Sequence, residues 1–503
     1  MSYILTGLAI LIAFFYLYFN KKYRYWKDRN VVTPTPQWPF GNIRETVLRR
    51  TTPAEYYTEL YEAFPDEKVV GIYRMWAPCL VLRHPDVIQH VLVKDFDLFV
   101  GRGVEFEKQG LGQNLFHADG DTWRVLRTKF SPIFTSGKLK QMMYLLNERA
   151  DKFIERLEVS VAASQEQEVY FTVQKFTISS ISSVAFGLEL DLSELDTPGN
   201  VFDRMNRLIF TTNYAQDLDF AFPGLLKTLS MSLFPKPVKD FFYGMVRRVM
   251  QERNGEPSGR NDFMDLLLEM KEKKIHGVKK HEGDKERSVV IDEDVMAAQA
   301  FVFYVAGYET SASTTAFLLR LLALHPDIQQ RVYEEIQRVT TSLPGPLTYE
   351  SLKQMTYLKQ VIDETLRMFP LVDPLQRVLS TGGYRVPGTE VTLDEGSLVL
   401  VPVRGLHYDP QYYPDPHTFD PERFSAENVK LRHPCVYLPF GTGPRNCIGM
   451  RFAEVQTKLA VVRLLQRFRF DSSPRTKAQI DFDPMKALPA DRHGIFLNIV
   501  PRV

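Results

Sequence analysis

The longest helical pattern in the chain, from Asp292 to Leu324, sets the strongest limit on its fold. The segment contains no proline and runs up to His325-Pro326. At 1.5 Å per residue such a helix would be about 50 Å long and would cross a whole domain. A second helical pattern covers Met355 to Met368 and stops before Pro370, and a third begins near Cys447. The chain is therefore predicted to be mainly helical.

Short runs of strand-forming residues add small β-sheets to this prediction. They lie at Lys68–Tyr73, Cys79–Leu82 and Leu398–Val403. A charge-dense segment, from Glu269 to Asp294, is interpreted mainly as a solvated loop. Charged residues make up 24% of the chain and hydrophobic residues 44%, which is ordinary for a globular protein. The net charge of +1 gives no bulk field that would attract nucleic acid, so no nucleic-acid partner is expected.

The amino terminus carries a candidate transmembrane helix. Tyr3 to Phe19 contains no charged residue, and Lys21, Lys22 and Arg24 follow it. The apolar run is near the short end of what spans a bilayer, and the positive-inside rule places the following domain in the cytoplasm. A buried core helix is the alternative. The predicted organisation is a membrane anchor at residues 1–20, a basic and proline-rich linker at 21–40, and one large domain at 41–503.

Cysteine usage points to a reducing compartment. The chain has only Cys79, Cys435 and Cys447, with no CxxC pair, and this low, odd number argues against a disulfide framework. Cys79 and Cys435 are interpreted as small buried residues. A zinc site formed by Cys435, Cys447 and His433 is an alternative, although zinc normally takes two pairs of closely spaced ligands and the second pair is missing.

The stretch from Phe440 to Gly449, Phe-Gly-Thr-Gly-Pro-Arg-Asn-Cys-Ile-Gly, surrounds Cys447. Its early glycines and its proline exclude regular structure. Cys447 is then expected at the start of a helix, where free backbone N–H groups and the helix dipole lower the pKa of a thiol. Gly449 would let a large flat group approach the backbone, and Arg445 would pair with an acidic edge of that group. A buried structural cysteine is the alternative.

The middle of the long helical pattern reads Ala306-Gly307-Tyr308-Glu309-Thr310. A glycine in a helix centre costs about 1 kcal/mol relative to alanine. The Thr310 hydroxyl is expected to bond back to the Ala306 carbonyl and to distort the helix. Together these residues predict a groove in which dioxygen and a water fit, and a simple packing defect is the alternative.

Two pairs of residues fall on single helix faces. Glu364 and Arg367 are three apart, and Trp123 and Arg127 are four apart, so the members of each pair are neighbours on a helix surface. Such pairs are common on exposed helices. Their positions gain meaning from Cys447 and from Arg423, which lies between the first pair and the cysteine stretch.

These motifs together resemble the cytochrome P450 family. The stretch from Phe440 to Gly449 matches the family's haem-binding signature, Phe-x-x-Gly-x-Arg-x-Cys-x-Gly, at every fixed position. The resemblance implies the cytochrome P450 fold, haem b as the cofactor and Cys447 as the thiolate ligand of its iron. It further implies an acid–alcohol pair that relays protons, a buried structural network and a set of haem-binding side chains: Glu309 and Thr310; Glu364, Arg367 and Arg423; and Arg445, Trp123, Arg127, Arg377, Phe440, Gly449 and Ala306.

The resemblance is to the microsomal branch that includes insect detoxification enzymes and vertebrate drug-metabolising enzymes. It implies a monooxygenase that inserts one atom of dioxygen into apolar small molecules, either xenobiotics or endogenous lipophiles. It also implies residence at the endoplasmic reticulum membrane, with the catalytic domain on the cytoplasmic face. The substrate pocket is expected to be lined by Phe301, Phe303, Val305, Ala306, Leu371 and Val372. A haem-thiolate isomerase or dehydratase and a non-catalytic haem-binding sensor are the alternatives.

The chain contains no GxGxxG unit and no phosphate-cradling loop, so NADPH and flavin are expected on another protein. In the family that partner is a flavoprotein reductase, with cytochrome b5 as a further electron donor. Basic residues are expected to form its docking patch: Arg124, Lys129, Arg432, Arg451 and Lys458. The apolar segment 220–235 is expected either to cover the core or to make a second, shallow contact with membrane lipid.

Overall fold

The computed structural model describes residues 2–103, 110–118, 120–197, 199–212, 228–229, 234–271, 273–276 and 288–502. It confirms the prediction of a mainly helical domain with small sheets. The longer helices are α1 (Ser2–Lys22), α2 (Pro53–Ala63), α3 (Gly120–Phe130), α4 (Ser136–Ala163), α5 (Val169–Ile181), α6 (Val201–Phe210), α7 (Lys236–Glu252), α8 (Phe263–Met270), α9 (Glu293–Leu324), α10 (Pro326–Ser342), α11 (Thr356–Met368) and α12 (Met450–Arg467).

The predicted long helix is α9, and it is the central element of the domain. The Asp292 side chain caps its start by accepting from the Val295 N–H at 2.9 Å, and it ends before Pro326. Every residue between Val295 and Ala323 is buried or half-buried except Ala306, which is exposed. A helix that is apolar nearly all round must be covered on all sides. Accordingly α5, α7, α10, α11 and α12 all pack against it.

The strands form small sheets at the edges of the helical core. They are β1 (Val69–Arg74), β2 (Ala77–Leu82), β3 (Glu166–Glu168), β4 (Lys274–His276), β5 (Ser288–Val290), β6 (Leu375–Val378), β7 (Tyr384–Arg385), β8 (Thr392–Leu393), β9 (Leu398–Val401), β10 (Phe468–Ser472) and β11 (Phe496–Pro501). The largest sheet has the order β1-β2-β9-β6, in which only the β2–β9 pair is parallel. The three predicted strands all belong to this sheet.

The charge-dense segment differs in part from its prediction as a loop. Its two ends form an antiparallel ribbon, β4–β5, in which Lys274 pairs with Val290 and His276 with Ser288. Residues 272 and 277–287 lie outside the described part of the chain.

The amino-terminal segment is a helix, α1, as predicted. Within the parts of the chain that the structure describes, no helix combines the length and the apolar character needed to cross a bilayer. Residues of the predicted linker pack against β1. The Trp26 indole is buried and donates to the Ile72 carbonyl at 2.9 Å. A Cβ at Gly71 would lie 2.4 Å from the Trp26 ring, so only glycine leaves room for the indole there.

Most of the apolar segment 220–235 lies outside the described residues, which resume at Phe234. The Phe234 ring is half-buried and contacts the rings of Phe301, at a centroid distance of 4.8 Å, and His117, at 6.2 Å. Phe234 therefore packs on the core, and the shallow membrane contact of the segment 220–235 stays a prediction.

Candidate active site

The cysteine loop is folded tightly on itself. The Cys447 N–H donates to the Phe440 carbonyl at 2.9 Å, and the Asn446 N–H donates to the Gly443 carbonyl at 3.1 Å. Gly443 has a φ of 71°, and a Cβ there would lie 1.9 Å from the Leu92 carbonyl oxygen. Any larger residue would therefore collide with the backbone at Leu92, and the glycine allows the loop to pack directly on that backbone.

Cys447 lies farther from the start of the following helix than the sequence predicts. The helix α12 begins at Met450, with Gly449 as its N-cap, so Cys447 lies in the turn before it. Part of the Cys447 side chain is accessible, but the protein atoms around the rest disfavour a charge and raise the pKa of the thiol. A hydrogen bond from the Gly449 N–H and the charges of Arg127 and Arg102 oppose this rise. The start of the helix thus lowers the thiol pKa as expected, through the Gly449 N–H, but burial outweighs this effect.

Arg127, on α3, fixes the backbone beside the thiol. Its two terminal nitrogens donate to the backbone carbonyl of Asn446 and to Asn446 Oδ1, both at 2.8 Å. Asn446 directly precedes Cys447, so this bidentate contact orients the peptide that carries the thiol. The family resemblance assigned Arg127 to a haem propionate, whereas its hydrogen bonds in the structure go to the cysteine loop.

Arg445 and Trp123 meet at one side of the loop. The Arg445 guanidinium lies 4.7 Å from the centre of the buried Trp123 ring and donates to the carbonyls of Phe116, at 3.3 Å, and Ala118. Arg102 donates to the same Phe116 carbonyl at 2.8 Å and to the Arg445 carbonyl at 3.4 Å. Sequence patterns do not single out Arg102, because it matches no motif.

Arg377, on β6, is a buried cation that forms no ion pair with the described residues. Its side chain is 3% exposed, Nη1 donates to the Gln376 carbonyl at 2.7 Å, and Nε has no hydrogen-bond partner among the described residues. Burial alone lowers the pKa of its guanidinium to about 10. A buried charge needs a partner of opposite sign, and a haem propionate would supply one.

Thr310 makes the predicted bond on α9. Its hydroxyl donates to the Ala306 carbonyl at 2.7 Å. The helix nevertheless remains α-helical through this turn, so the expected distortion is not seen. A Cβ at Gly307 would lie 2.7 Å from Ile181 Cδ1, which shows that Gly307 allows α5 to approach α9 closely. The exposed Ala306 and the Thr310 hydroxyl thus mark one flank of α9, and Gly307 serves helix packing on another.

The Glu309 side chain points from α9 toward α5. Its carboxylate is buried and accepts from the Tyr170 hydroxyl at 2.6 Å and from Gln174 Nε2 at 3.1 Å. Burial raises the pKa of this carboxyl to about 7, and the two hydrogen bonds and the charge of Lys486 oppose the rise. Because consecutive residues on an α-helix are about 100° apart, the acid and the alcohol of the predicted pair lie on different flanks of α9.

Glu364, Arg367 and Arg423 form the predicted buried network. Arg367 and Glu364 make two hydrogen bonds, Nε–Oε2 at 2.7 Å and Nη2–Oε1 at 2.8 Å, and both side chains are completely buried. Arg423 Nε lies 3.5 Å from Glu364 Oε1. His407, which the sequence did not reveal, connects this network to the cysteine loop. Its carbonyl accepts from Arg367 at 2.8 Å, and its Nε2 accepts from the Leu438 N–H at 2.9 Å.

The predicted pocket residues divide between the site and the core. Phe301 is buried against Phe234 and Phe242, and Leu371 lines a small cavity. Val305 is half-buried and Val372 is exposed. Phe303 packs on the rings of three other phenylalanines, Phe130, Phe134 and Phe263. Phe303 therefore packs in an aromatic cluster, and its place in the pocket stays a prediction.

The zinc alternative for Cys447 finds no support in the structure. Among the residues described, no three His, Cys, Asp or Glu side chains come together as metal ligands. Cys435 is buried, as predicted, and its N–H donates to His433 Nδ1 at 3.1 Å. Cys79 is buried too.

The same residues fit haem b. The Cys447 thiol stands at an accessible face of a rigid loop, and Arg377 and Arg445 supply buried cations for the two propionates. A Cβ at Gly449 would meet only Phe134 Cε1, at 3.8 Å, so the surrounding side chains leave this backbone approachable. The fold and the site together define the class of haem-thiolate enzymes.

Comparison with known proteins agrees with this class. The family model described as "Cytochrome P450" matches residues 32–495, and the chain belongs to the cytochrome P450 family. It is 49% identical to "Cytochrome P450 6B2" from Helicoverpa armigera over 98% of this chain and 97% of that protein. It is 51% identical to "Cytochrome P450 6B5" from Papilio glaucus, over 94% and 98%, and 37% identical to "Cytochrome P450 6a2" from Drosophila melanogaster, over 99% and 98%. The chain is thus a cytochrome P450 monooxygenase with haem b as its cofactor.

Proposed function

We propose that this enzyme monooxygenates apolar small molecules, either xenobiotics or endogenous lipophiles, with electrons from a separate NADPH-dependent reductase. The observation that carries the proposal is the surface around Ala306, the one exposed residue in the middle of α9. Apolar side chains extend from it through Val305 and Phe301 to Phe234. Nearby His117 is neutral, because burial lowers its pKa to about 3. Such a lining favours uncharged ligands.

Bound haem supplies the iron that activates dioxygen, and metal coordination deprotonates a thiol whose pKa is otherwise raised. Cys447 would be the iron ligand, held in place by Arg127 through Asn446. Arg377, Arg445 and Trp123 would hold the acidic edge of the haem, and Phe440 and Gly449 would flank its face. Thr310 would orient a proton at its Oγ1, and Glu309 would supply it. Glu364, Arg367 and Arg423 would stabilise the fold around the cysteine loop.

The docking patch for the reductase is smaller than the sequence suggests. Lys458 is 4% exposed and donates to the carbonyls of Leu352 and Met355, at 2.9 and 3.1 Å, so it cannot meet a partner. Lys129 and Arg451 are exposed and support the proposal of an acidic flavoprotein partner. Charge reversal at both should slow iron reduction at low ionic strength without changing substrate affinity. Cytochrome b5 would use the same face.

We also propose residence at the endoplasmic reticulum membrane, with the domain on the cytoplasmic face. The uncharged run from Tyr3 to Phe19 and the lysines that end α1 support an amino-terminal anchor at residues 1–20. Deletion of residues 2–20 should reduce recovery of the enzyme in the membrane fraction. Unchanged recovery would contradict this anchor.

The activity is tested with the full chain, haem, an NADPH-dependent reductase and 7-ethoxycoumarin, an apolar aryl ether whose dealkylated product is fluorescent. The parent enzyme should form product only with NADPH and reductase. Thr310→Ala should keep its haem and its substrate-induced spectral shift but release most reducing equivalents as hydrogen peroxide, because general acid–base assistance is typically worth 10²–10⁴-fold. Rearrangement of an added organic hydroperoxide, with no NADPH-dependent dealkylation, would favour an isomerase or dehydratase, and haem binding without any turnover would favour a sensor.

A further inference from the structure

A cluster of polar side chains surrounds Glu309 on the side of α9 that faces α5. The Tyr170 hydroxyl is its centre: it donates to Glu309 Oε1 at 2.6 Å and accepts from Gln174 Nε2 at 2.8 Å and Asn206 Nδ2 at 3.2 Å. Asn206 Oδ1 accepts from the Tyr308 hydroxyl at 3.3 Å. Three helices, α5, α6 and α9, therefore meet in one hydrogen-bond network that links the Glu309 carboxylate to Asn206 through the Tyr170 hydroxyl.

One face of α5 builds this side of the network. Tyr170, Gln174 and Ile181 are separated by four and seven residues, which places them on the same face of the helix. Ile181 is the residue that contacts Gly307. A glycine at position 307 thus brings α5 close enough for Tyr170 and Gln174 to reach the carboxylate of Glu309.

The third helix, α6, packs on the core with one face. Met205 is its only fully buried residue, and Phe202, Leu208, Ile209 and Phe210 are half-buried against the core. Its end is tied to the segment around Lys486: the Thr212 N–H donates to the Met485 carbonyl and the Ala487 N–H to the Phe210 carbonyl, both at 2.9 Å. Hydrogen bonds thus link α6 to the surroundings of Glu309 in two ways, through Asn206 and through the segment that carries Lys486.

We propose that Tyr170 is a positioning residue for proton delivery, which fixes the Glu309 carboxyl against α5 and, through Asn206, makes its orientation depend on the position of α6. This inference rests on the proposed function, in which Glu309, on the flank of α9 that faces α5, supplies the proton that Thr310 orients on the neighbouring flank. A displacement of α6 that separates Asn206 from Tyr170 and Tyr308 would remove one of the two donors to the Tyr170 hydroxyl and loosen its hold on the carboxyl. Ligands that contact α6 would thereby influence proton supply without touching Glu309.

The groups around Glu309 determine how the pKa of its carboxyl changes when the Tyr170 hydroxyl is removed. They are Tyr170 and Gln174 on α5, Tyr308 on α9, and Lys486, while Asn206 on α6 acts through the Tyr170 hydroxyl. The Tyr170 hydroxyl stabilises the ionised carboxylate, so its removal raises the pKa of Glu309 further. The acid form then persists to higher pH, and a reaction that needs this acid keeps its activity to higher pH.

The test compares Tyr170→Phe with the parent in the full, haem-loaded chain, with reductase, NADPH and 7-ethoxycoumarin. The coupling ratio, product formed per NADPH consumed, should fall about threefold or more. The pH at which coupling is half-maximal on the alkaline side should rise by about one unit, the size expected for losing a hydrogen bond to a charged group. Turnover driven by cumene hydroperoxide, whose oxygen is already reduced, should remain at the parent level.

Tyr243→Phe is the matched control. The Tyr243 hydroxyl donates to Asp294 at 2.6 Å, the same kind of bond to the same helix, but Asp294 lies about 22 Å from Glu309 along α9. Its removal should leave coupling and the pH profile unchanged. On a Glu309→Gln background, Tyr170→Phe should cause no further loss, because a residue that acts through another shows a non-additive double-mutant cycle.

Several results would overturn the inference alone. These are parent-like coupling and pH profile in Tyr170→Phe, an equal loss on the Glu309→Gln background, or a parallel loss of peroxide-driven turnover. Parent-like coupling in Glu309→Gln, with Thr310→Ala still uncoupled, would also refute it and leave the monooxygenase function intact. A parent enzyme that forms no NADPH-dependent product would refute the proposed function, and the inference with it.

Discussion

Replacement of Glu364 by glutamine should destabilise the domain more than any comparable loss of a surface charge. Arg367 is completely buried, and two of its hydrogen bonds go to the Glu364 carboxylate. Its other bonds go to the carbonyls of His407 and Pro416, both at 2.8 Å, and of Thr418, at 3.4 Å, which carry no full charge. Glu364→Gln keeps the shape of the side chain but leaves the guanidinium without its nearest anion.

Removal of one partner from a buried ion pair costs about 3–5 kcal/mol. Glu364 Oε1 also accepts from the Asp420 N–H at 3.0 Å and lies near Arg423, so the loss should be in the upper part of this range. The effect should extend to the cysteine loop. Arg367 donates to His407, and His407 accepts from Leu438, two residues before the start of the loop.

Glu422→Gln is the control for this measurement, because Glu422 pairs with Arg331 at 2.6 Å at the surface. Exposed pairs are worth about 0–1 kcal/mol. Urea unfolding of the haem-loaded protein, followed by tryptophan fluorescence and by the Soret band, gives the free energies of unfolding. Glu364→Gln should also release haem faster than the control variant. Equal costs for the two substitutions, or parent-like haem release by Glu364→Gln, would refute the reasoning.

Three further predictions follow from single residues. The pKa of Glu309 rises from 4.5 to about 7 in the folded state, so between these values the folded protein binds a proton that the unfolded chain has released, and its stability falls as the pH rises. Relative to the parent, Glu309→Gln should therefore gain about 3 kcal/mol of unfolding free energy between pH 5 and pH 8. Parallel plots of unfolding free energy against pH for the two proteins would contradict this. Gly307→Ala should cost about 1–3 kcal/mol in urea unfolding and be partly rescued by Ile181→Val, which removes the nearest atom; full stability of Gly307→Ala alone would contradict the proposed packing. Cys447→His should lose the red-shifted Soret band of the reduced carbon monoxide complex and Cys435→Ala should keep it, whereas the reverse pattern would exclude Cys447 as the ligand.

Much of the fold could be predicted because it follows local patterns. The proline-free segment that became α9 was predicted to within one residue at its start, since Asp292 is a strong N-cap and Pro326 ends the pattern. The cysteine loop was also predictable, because its glycines leave it few alternatives. Gly443 sits in the left-handed region against the Leu92 carbonyl, where no side chain fits.

The rest depends on contacts between residues far apart in sequence. Lys458 looks like a surface residue in a helical pattern, yet its ammonium caps the carbonyls of Leu352 and Met355. Phe303 alternates with pocket candidates along α9, but its ring packs on the ring of Phe263, at a centroid distance of 4.2 Å. Hydrophobic periodicity identifies a buried face, but it does not distinguish a face that meets a ligand from one that meets another helix.

The exposed Ala306 separates two ways in which a substitution on α9 can act. Most other positions of the helix are buried, and α5, α7, α10, α11 and α12 pack against it, so a larger side chain there would disturb the packing of the domain. Ala306 is exposed, and its carbonyl accepts from the Thr310 hydroxyl, so a larger side chain at position 306 would act on the site itself. Between duplicated genes, substitutions at position 306 should therefore change activity before stability, whereas those at the buried positions should change stability first.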